Sequence, residues 1–512
     1  MRRHPEPEKA GEMKNKEDLF KLIQAMSRSE KRYFTLDAQK SGRKPNKYLE
    51  LFQAINEMEA YDEEQLRQQF GRSLPSDKSY LYDAILRSLR DYHAAKSRAT
   101  KIKDFLLDAK LLYERGLYEQ SEERLLQARQ LATELDDQLA LFQIGRELIY
   151  HAWTMKKKEY GVAIEAILGE NARCIANVEE ELKYLALAYR IQIARGKPEL
   201  TQNLEKIEQV FPARLFAEEQ RPRSAHAQRR FLQSAAYYYD LIEDFDQANE
   251  HYYNMVKWWD GYPAIKEEEY VRYLADVFNL LHASYSQKKY QQFEDLLKKI
   301  EQERPSSYHD QRMIFKQLTN YKLLYHINFG ILEGHEDLAR QVEEGMAAYK
   351  LNPVSQLIIA FNLALLFFIL GRFELCQQWA EKVLRDYNRS INNPGFHLGA
   401  HLLGLLAAFD SDDVDRLDSA LRAMQRALKA SAKEERGTFF DLAAKYIKRL
   451  GNAPSKQALA LLREFDAAIQ ALRAGGEESV PLGLDELALA WIRSRREGQP
   501  MRAVVRQAAA GK

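Results

Sequence analysis

Residues 112–128, LYERGLYEQSEERLLQA, contain the arrangement that decides the fold: Gly116, then Tyr118 two residues later, then Ser121 three further on. The same order returns along the chain, most often with an aromatic residue at its centre. These central residues, which we call anchors, are Tyr118, Tyr160, Pro198, Phe245, Tyr290, Glu336, Phe373 and Val414. Consecutive anchors are 42, 38, 47, 45, 46, 37 and 41 residues apart. This recurrence predicts a stacked array of helix pairs, because one pair cannot bury its apolar face without neighbours.

The composition agrees with an all-α chain. With 512 residues, the chain is too long for one compact core, and its 46% hydrophobic and 29% charged residues are ordinary for a folded protein. In each pair, helix A precedes the anchor and helix B follows it. We expect left-handed backbone at the turn glycines Gly116, Gly196, Gly334 and Gly371, since glycine adopts that conformation without steric strain.

Patterning along the chain predicts five segments. They are a disordered tail (1–16), a helical N-terminal capping domain (17–95), the array itself (96–430), further C-terminal helices (431–492) and a loose basic tail (493–512). The capping domain is expected because the first pair of an array would otherwise expose an apolar face. Within it, Ser27 or Ser29 is a candidate N-cap of the second helix and Asp62 of the fourth. Ser76 or Asp77 is predicted to open the fifth helix.

Cysteine content and hydropathy indicate a cytoplasmic protein. Cys174 and Cys376 are far apart and each lies in a helical pattern, so both are predicted to be buried thiols rather than a disulfide or metal pair. The first 16 residues lack the apolar core of a secretory signal. Residues 357–370 form the longest apolar stretch, which is shorter than the ~20 residues that a membrane span needs. We therefore expect no membrane insertion.

The copies at residues 112–128 and 362–384 resemble the tetratricopeptide repeat. In the first copy Tyr113 comes before the Gly116-x-Tyr118 turn, and Ser121 and Ala128 are the small residues of helix B. The resemblance covers about two thirds of the chain, and the repeats here are longer than the family's usual ~34 residues. It implies a right-handed α-solenoid of about eight helix pairs, less regular than usual, with helix A lining a concave groove.

Carrying the family's helix A positions onto this sequence gives candidate peptide-binding residues. They are Lys103, Lys110, Lys183, Arg190, Arg230, Gln233, Tyr237, Asn279, His282, Tyr325, Asn328 and Asn362. Basic residues dominate the first half of this set, whereas aromatic and amide residues dominate the second. Cations suit carboxylates, and an amide on a helix face can pair with an extended peptide backbone. The alternative is that the cations are solvated and the aromatic residues belong to the core.

The sequence offers little for catalysis. His397 and His401 have the i, i+4 spacing of a zinc pair but lack the intervening Glu and a third ligand, so helix packing explains them better. No phosphate loop, serine elbow or kinase signature occurs in the sequence. We therefore predict a non-enzymatic chain without a metal ion or cofactor, which acts as a scaffold for a protein or peptide partner.

A second hypothesis is a regulatory nucleic-acid-binding protein. Residues 1–103 hold 22 Lys and Arg against 16 Asp and Glu, and the fifth predicted helix carries Arg87 and Arg90. In this hypothesis residues 17–95 contact the nucleic acid and the solenoid acts as a sensor. Asp83 and Asp91 lie on the same predicted helix, which weakens the hypothesis, because DNA-reading helices usually have a denser basic face. The oligomeric state is left open.

Overall fold

The computed structural model describes residues 17–40, 47–58, 60–94, 97–156, 158–197, 203–305, 307–329, 335–386, 394–411, 413–430, 433–474 and 480–510. Within these ranges all regular structure is helical and no strand occurs, which confirms the all-α prediction. The chain divides into two units, Met1–Glu303 and Arg304–Lys512. Residues 1–16, which the sequence predicts to be a disordered tail, lie outside the described residues.

The first unit begins with a small helical domain and continues into the array. Its helices are α1 (Asp18–Ala25), α2 (Arg28–Lys40), α3 (Lys47–Glu57), α4 (Glu63–Phe70), α5 (Leu74–Ala94), α6 (Arg98–Tyr113), α7 (Tyr118–Glu134), α8 (Gln138–Met155), α9 (Tyr160–Arg195), α10 (Leu204–Val210), α11 (Ala225–Leu241), α12 (Phe245–Gly261), α13 (Pro263–Glu268), α14 (Tyr270–Ser286) and α15 (Tyr290–Gln302). From α6 to α9 and from α11 to α15 the helices pack mainly on helices close to them in the sequence.

The second unit is likewise an ordered series of helices. They are α16 (Tyr308–Phe329), α17 (His335–Tyr349), α18 (Pro353–Ile369), α19 (Phe373–Asp386), α20 (Pro394–Asp410), α21 (Val414–Ala430), α22 (Lys433–Gly451), α23 (Ser455–Ala474), α24 (Leu484–Glu497) and α25 (Met501–Ala510). The α16, α18, α20 and α22 helices contact one another in that order, while α17, α19 and α21 pack beside them. A single apolar core runs from Leu323 to Met501.

The anchors mark the starts of helices. The first residues of α7, α9, α12, α15, α19 and α21 are the anchors Tyr118, Tyr160, Phe245, Tyr290, Phe373 and Val414. Gly116 and Gly371 precede two of them with φ of +77° and +71°, as expected. Gly196 has φ of −78°, so the left-handed prediction is wrong there: α9 ends in a turn that needs no positive φ. Pro198 and Gly334 lie outside the described residues.

The N-terminal domain has an apolar core of its own, formed by residues between Leu19 and Ile85. Two predicted caps are present: Ser27 exchanges hydrogen bonds with Glu30, and the Asp62 carboxylate accepts from the first turn of α4. The fifth helix begins at Leu74, before the predicted Ser76 or Asp77, because a proline is tolerated in a first helical turn. Whether this domain also caps the array stays a prediction.

The C-terminal residues differ from the predicted loose tail at 493–512. The α24 helix continues to Glu497, and α25 packs on α16 and α18, with Val504 buried. In the middle of α24, the Trp491 indole N–H donates to the carboxylate of Asp410 at the end of α20, at 3.1 Å. The small and basic residues suggested a loose tail, but they belong to an amphipathic helix whose apolar side chains are buried in the core of the second unit.

Two further sequence predictions concern polarity. Cys174 and Cys376 are both buried thiols, as predicted. None of the helices in the described ranges combines the length and the apolar composition of a membrane span.

Candidate partner-binding face of the first unit

The structure places the candidate residues of the first unit on four helices. Lys103 and Lys110 lie on α6 and are exposed, as are Lys183 and Arg190 on the second half of α9. The other candidates in this unit are Arg230, Gln233 and Tyr237 on α11, and Asn279 and His282 on α14. Because α9 packs on α11, and α12 packs on both α11 and α14, the candidates from 183 to 282 belong to one continuous set of packed helices.

Three candidates on α11 form a hydrogen-bonded row. The Arg230 guanidinium donates to the Gln233 amide oxygen at 2.9 Å, and the Gln233 amide donates to the Tyr237 hydroxyl at 3.1 Å. All three side chains are half-buried. Across the helix contact, Arg230 lies 3.9 Å from the Glu181 carboxylate of α9. Burial lowers the pKa of Arg230, and the neighbouring Arg229 acts in the same direction. The row is a fixed polar surface.

His282 lies on α14 and its side chain is partly exposed. Desolvation by the surrounding atoms lowers its pKa, and the positive charge of Arg195 on α9 lowers it further. Arg195 itself is paired with Asp240 of α11. The α9, α11 and α14 helices therefore contribute charged side chains to one electrostatic neighbourhood around His282.

A buried ion pair joins α11, the helix that carries the row, to α14. The Arg229 guanidinium donates twice to the Asp276 carboxylate, at 2.7 and 2.9 Å, and the Trp259 indole N–H donates to the same carboxylate at 2.9 Å. These residues come from α11, α14 and α12. The arrangement fixes the three helices against each other and so fixes the positions of their surface residues.

A cavity of about 490 Å³ lies between α9 and the short segment that follows it. Its cationic lining comes from Lys183, Arg190 and Lys197, and no carboxylate is among the described residues that line it. Its apolar lining comes from Leu187, Ile193, Ala194, Val210, Phe211 and Leu215. The structure therefore brings the candidates Lys183 and Arg190 together in an amphipathic, electropositive cavity.

Next to this cavity α9 carries an uncovered apolar stripe. Its large members are Leu182, Tyr189 and Ile193, which are 60%, 65% and 65% exposed, and half-buried Ala186 completes it. Their spacing of 4, 3 and 4 residues places them on one helix face. This stripe was missed by the sequence analysis, although its spacing and the cations seven residues apart were visible in the sequence.

The third copy of the repeat explains why the stripe is uncovered. Helix B of that copy should follow Pro198, but α10 has seven residues, whereas α7 and α12 have 17 each. The intervening residues 198–202, which lie outside the described ranges, number only five. Two short 3-10 turns follow α10: Ala213–Phe216, of four residues, and Glu218–Gln220, of three. With seven residues, α10 is too short to cover α9 as a full helix would.

The helices before α9 also expose large apolar side chains. These are Leu107 and Leu111 on α6, and Tyr150 and Trp153 on α8. Both pairs are three or four residues apart, so each pair shares one helix face. The Lys156 ammonium lies 5.6 Å from the Trp153 ring centroid. Cations and exposed apolar groups thus occur together on α6, α8 and α9.

The candidates of the second unit make contacts within that unit, although Asn328 is exposed. Asn362 is buried and its amide donates to Asn320 at 3.1 Å, which differs from the predicted surface contact. The Asn328 amide donates to the Leu324 carbonyl of its own helix at 2.9 Å, and the Tyr325 ring lies 4.7 Å from that of Phe329. Since α25 packs on α16 and α18, the helices that carry these residues already have an intramolecular neighbour.

A second cavity, of about 480 Å³, lies among α19, α20 and α21 of the second unit. Glu374, Glu381 and Arg416 line it together with His401 and small residues of α20. Burial lowers the pKa of His401 to about 4, helped by the charges of His397 and Arg426.

Residues 17–95, the contact domain of the nucleic-acid hypothesis, expose Arg87 and Arg90 on α5. Asp83 and Asp91 of the same helix are also exposed, so this surface has mixed charge. No protein-family model matches the chain, and no curated protein or solved structure matches it either. The assignment of a function therefore rests on the chain's own chemistry.

Proposed function

We propose that the protein is a non-enzymatic, cytoplasmic scaffold that holds a segment of a partner protein on the helix A face of its first unit. In this proposal the array is a right-handed solenoid of tetratricopeptide-like helix pairs and the face is its concave groove. The second unit is not part of the binding face in this proposal, because Asn362 is buried there and α25 packs on α16 and α18, which carry the candidates.

The exposure of the α9 stripe carries this proposal. Leaving Leu182, Tyr189 and Ile193 in water forgoes the stabilisation that burial would give, roughly 1.5–3 kcal/mol for each fully buried side chain. Groups of exposed large apolar residues rimmed by charge commonly mark interaction sites in soluble proteins. The polar row on α11 can then orient a segment that the apolar stripe anchors.

Site-specific photo-cross-linking in the native cell tests the proposal. A benzoylphenylalanine at position 189 or 237 probes the helix A face, and one at Leu126 of α7, which is 50% exposed on a helix B, is the matched control. We expect discrete protein adducts from positions 189 and 237 and none of the same mass from 126. Identical adducts from all three positions, or none from the helix A face, would contradict the proposed function.

A further inference from the structure

The α9 stripe has the register of a coiled-coil seam. Leu182, Ala186, Tyr189 and Ile193 follow the 4-3-4 spacing of alternating d and a positions, and they span about 16 Å along the helix. In a coiled coil such a seam is covered by a neighbouring helix. Here the helix that should follow is the seven-residue α10. The uncovered length corresponds to about three turns of a partner helix.

Cations flank this seam at a constant interval. Lys183 and Arg190 are seven residues apart on α9 and occupy one heptad position directly beside the seam. Lys197 follows after the same interval, just beyond the end of the helix. Lys183 and Arg190 are exposed, and all three residues line the 490 Å³ cavity, whose described lining contains no carboxylate. Flanking charges of this kind select the partner by attraction and repulsion across the seam.

We propose that the occupant of this face is an amphipathic helix of a partner protein, with apolar residues at heptad spacing and carboxylates along the edge that faces Lys183, Arg190 and Lys197. The inference rests on the proposed function and specifies its ligand as an acidic helix. The partner helix takes the place that a full-length helix B would have in the third copy of the repeat. Its apolar residues contact Tyr189 and Ile193, and its carboxylates pair with the three cations.

A helix explains the observations better than an extended peptide does. An extended strand places successive side chains about 3.3 Å apart on alternating faces, whereas the seam and its cations repeat every seven residues, which is the repeat of a facing helix. A nucleic acid would use the cations but would leave the apolar seam without a partner along its length. The combination of apolar stripe and charged edge is what a helix-in-groove contact requires.

A pair of synthetic helices tests the proposal directly. Both are three-heptad peptides with leucine at d, isoleucine at a and a fluorescein label; the acidic probe carries Glu at e and g, and the basic probe carries Lys there. Fluorescence anisotropy with the full chain should show the acidic probe binding at least ~10-fold more tightly than the basic probe at low salt, with the difference falling as NaCl is added.

Variants of the chain then locate the contact. Ile193→Asp should weaken binding of the acidic probe by ~10-fold or more, because it removes an apolar contact and adds a repulsive charge. The matched control, Leu126→Asp on the exposed side of α7, should change it by less than about twofold. Lys183→Glu with Arg190→Glu should reverse the preference in favour of the basic probe. Circular dichroism confirms folding of each variant.

The outcomes are decisive. The inference is overturned if the wild-type chain binds neither probe, binds both equally, or keeps its affinity in Ile193→Asp. Cross-linking at position 237 but no binding of the acidic probe would refute the helix inference and leave the scaffold function standing. Absence of both the cross-link at position 237 and binding of the acidic probe would refute the scaffold function as well.

Discussion

Arg229 and Asp276 form a two-pronged ion pair inside the first unit, with Nε–Oδ2 and Nη2–Oδ1 distances of 2.7 and 2.9 Å. Their side chains are only 5% and 1% exposed. Burial raises the pKa of Asp276, and the guanidinium opposes that shift. Because the pair joins α11 to α14, it makes the polar row on α11 dependent on a residue 47 positions further along the chain.

Replacing Arg229 by methionine should destabilise the first unit by about 3–5 kcal/mol, because the Asp276 carboxylate would be left buried with the Trp259 indole as a neutral donor. Urea denaturation of the full chain, followed by tryptophan fluorescence, measures the change. The double variant Arg229→Met, Asp276→Leu should recover most of the loss, since no buried charge remains. A double variant as unstable as the single one would show that the helix contact, rather than the charge, is at fault.

Two glycines in the second unit provide a matched comparison. A Cβ at Gly345 would lie 2.1 Å from the Phe315 ring, whereas a Cβ at Gly404 would meet nothing within 4 Å. Both lie within helices, α17 and α20. Gly345→Ala should therefore destabilise the unit by about 1–3 kcal/mol through overpacking, and Gly404→Ala should stabilise it by about 0.5–1 kcal/mol through helix propensity. Thermal unfolding of both variants measures this; a fall of equal size in both would contradict the packing geometry.

The second unit should lose stability as the pH falls below about 6.5. The pKa of His401 is lowered from 6.5 to about 4 in the folded state. Between these two values the unfolded chain binds more protons than the folded chain, so the free energy of unfolding decreases with falling pH. For His401 alone the loss reaches about 2 kcal/mol at pH 5.

Denaturation at pH 7.5 and pH 5, compared between the wild-type chain and His401→Gln, isolates this contribution. We expect the difference between the two pH values to be smaller in His401→Gln. An equal difference in both proteins would show that His401 does not carry the pH dependence.

Ending the chain after Glu497 should weaken the second unit. This change removes α25, whose Met501 and Val504 are buried, and exposes the surfaces of α16 and α18 on which it packs. We expect a loss of about 2 kcal/mol after the entropy regained by the freed residues is considered, together with increased binding of an apolar dye. A chain ending after Ala510 is the control and should behave as the full chain does.

The sequence predicted the positions of turns better than the completeness of the repeats. Gly116 and Gly371 are predictable because a helix must end there in a backbone conformation that other residues resist, and the next helix starts at a fixed distance. The sequence did not predict the short length of α10, because Pro198 and its neighbours keep the spacing of the repeat although the helix that follows has only seven residues. Local patterning does not state how far a helix will extend.

The candidate site was predicted in part for a related reason. The positions carried over from the repeat include Lys183 and Arg190, which are exposed on α9. They also include Asn362, which is buried and whose partner Asn320 is 42 residues away. Whether a polar side chain on helix A meets solvent or another helix depends on what covers that helix. For α18 the cover includes α25, which no local pattern near residue 362 reveals.

The 36-residue α9 continues without a break from Tyr160 to Arg195 and is about 54 Å long. Its first half packs beside α8 and its second half carries the seam. Because the helix is unbroken, the contact with α8 fixes the direction in which the seam faces. Each residue of a helix turns the chain by about 100°. Adding or removing one residue near position 177 would rotate the seam by that angle relative to α8 while leaving every seam residue unchanged. The length of this helix therefore encodes the direction in which the seam faces.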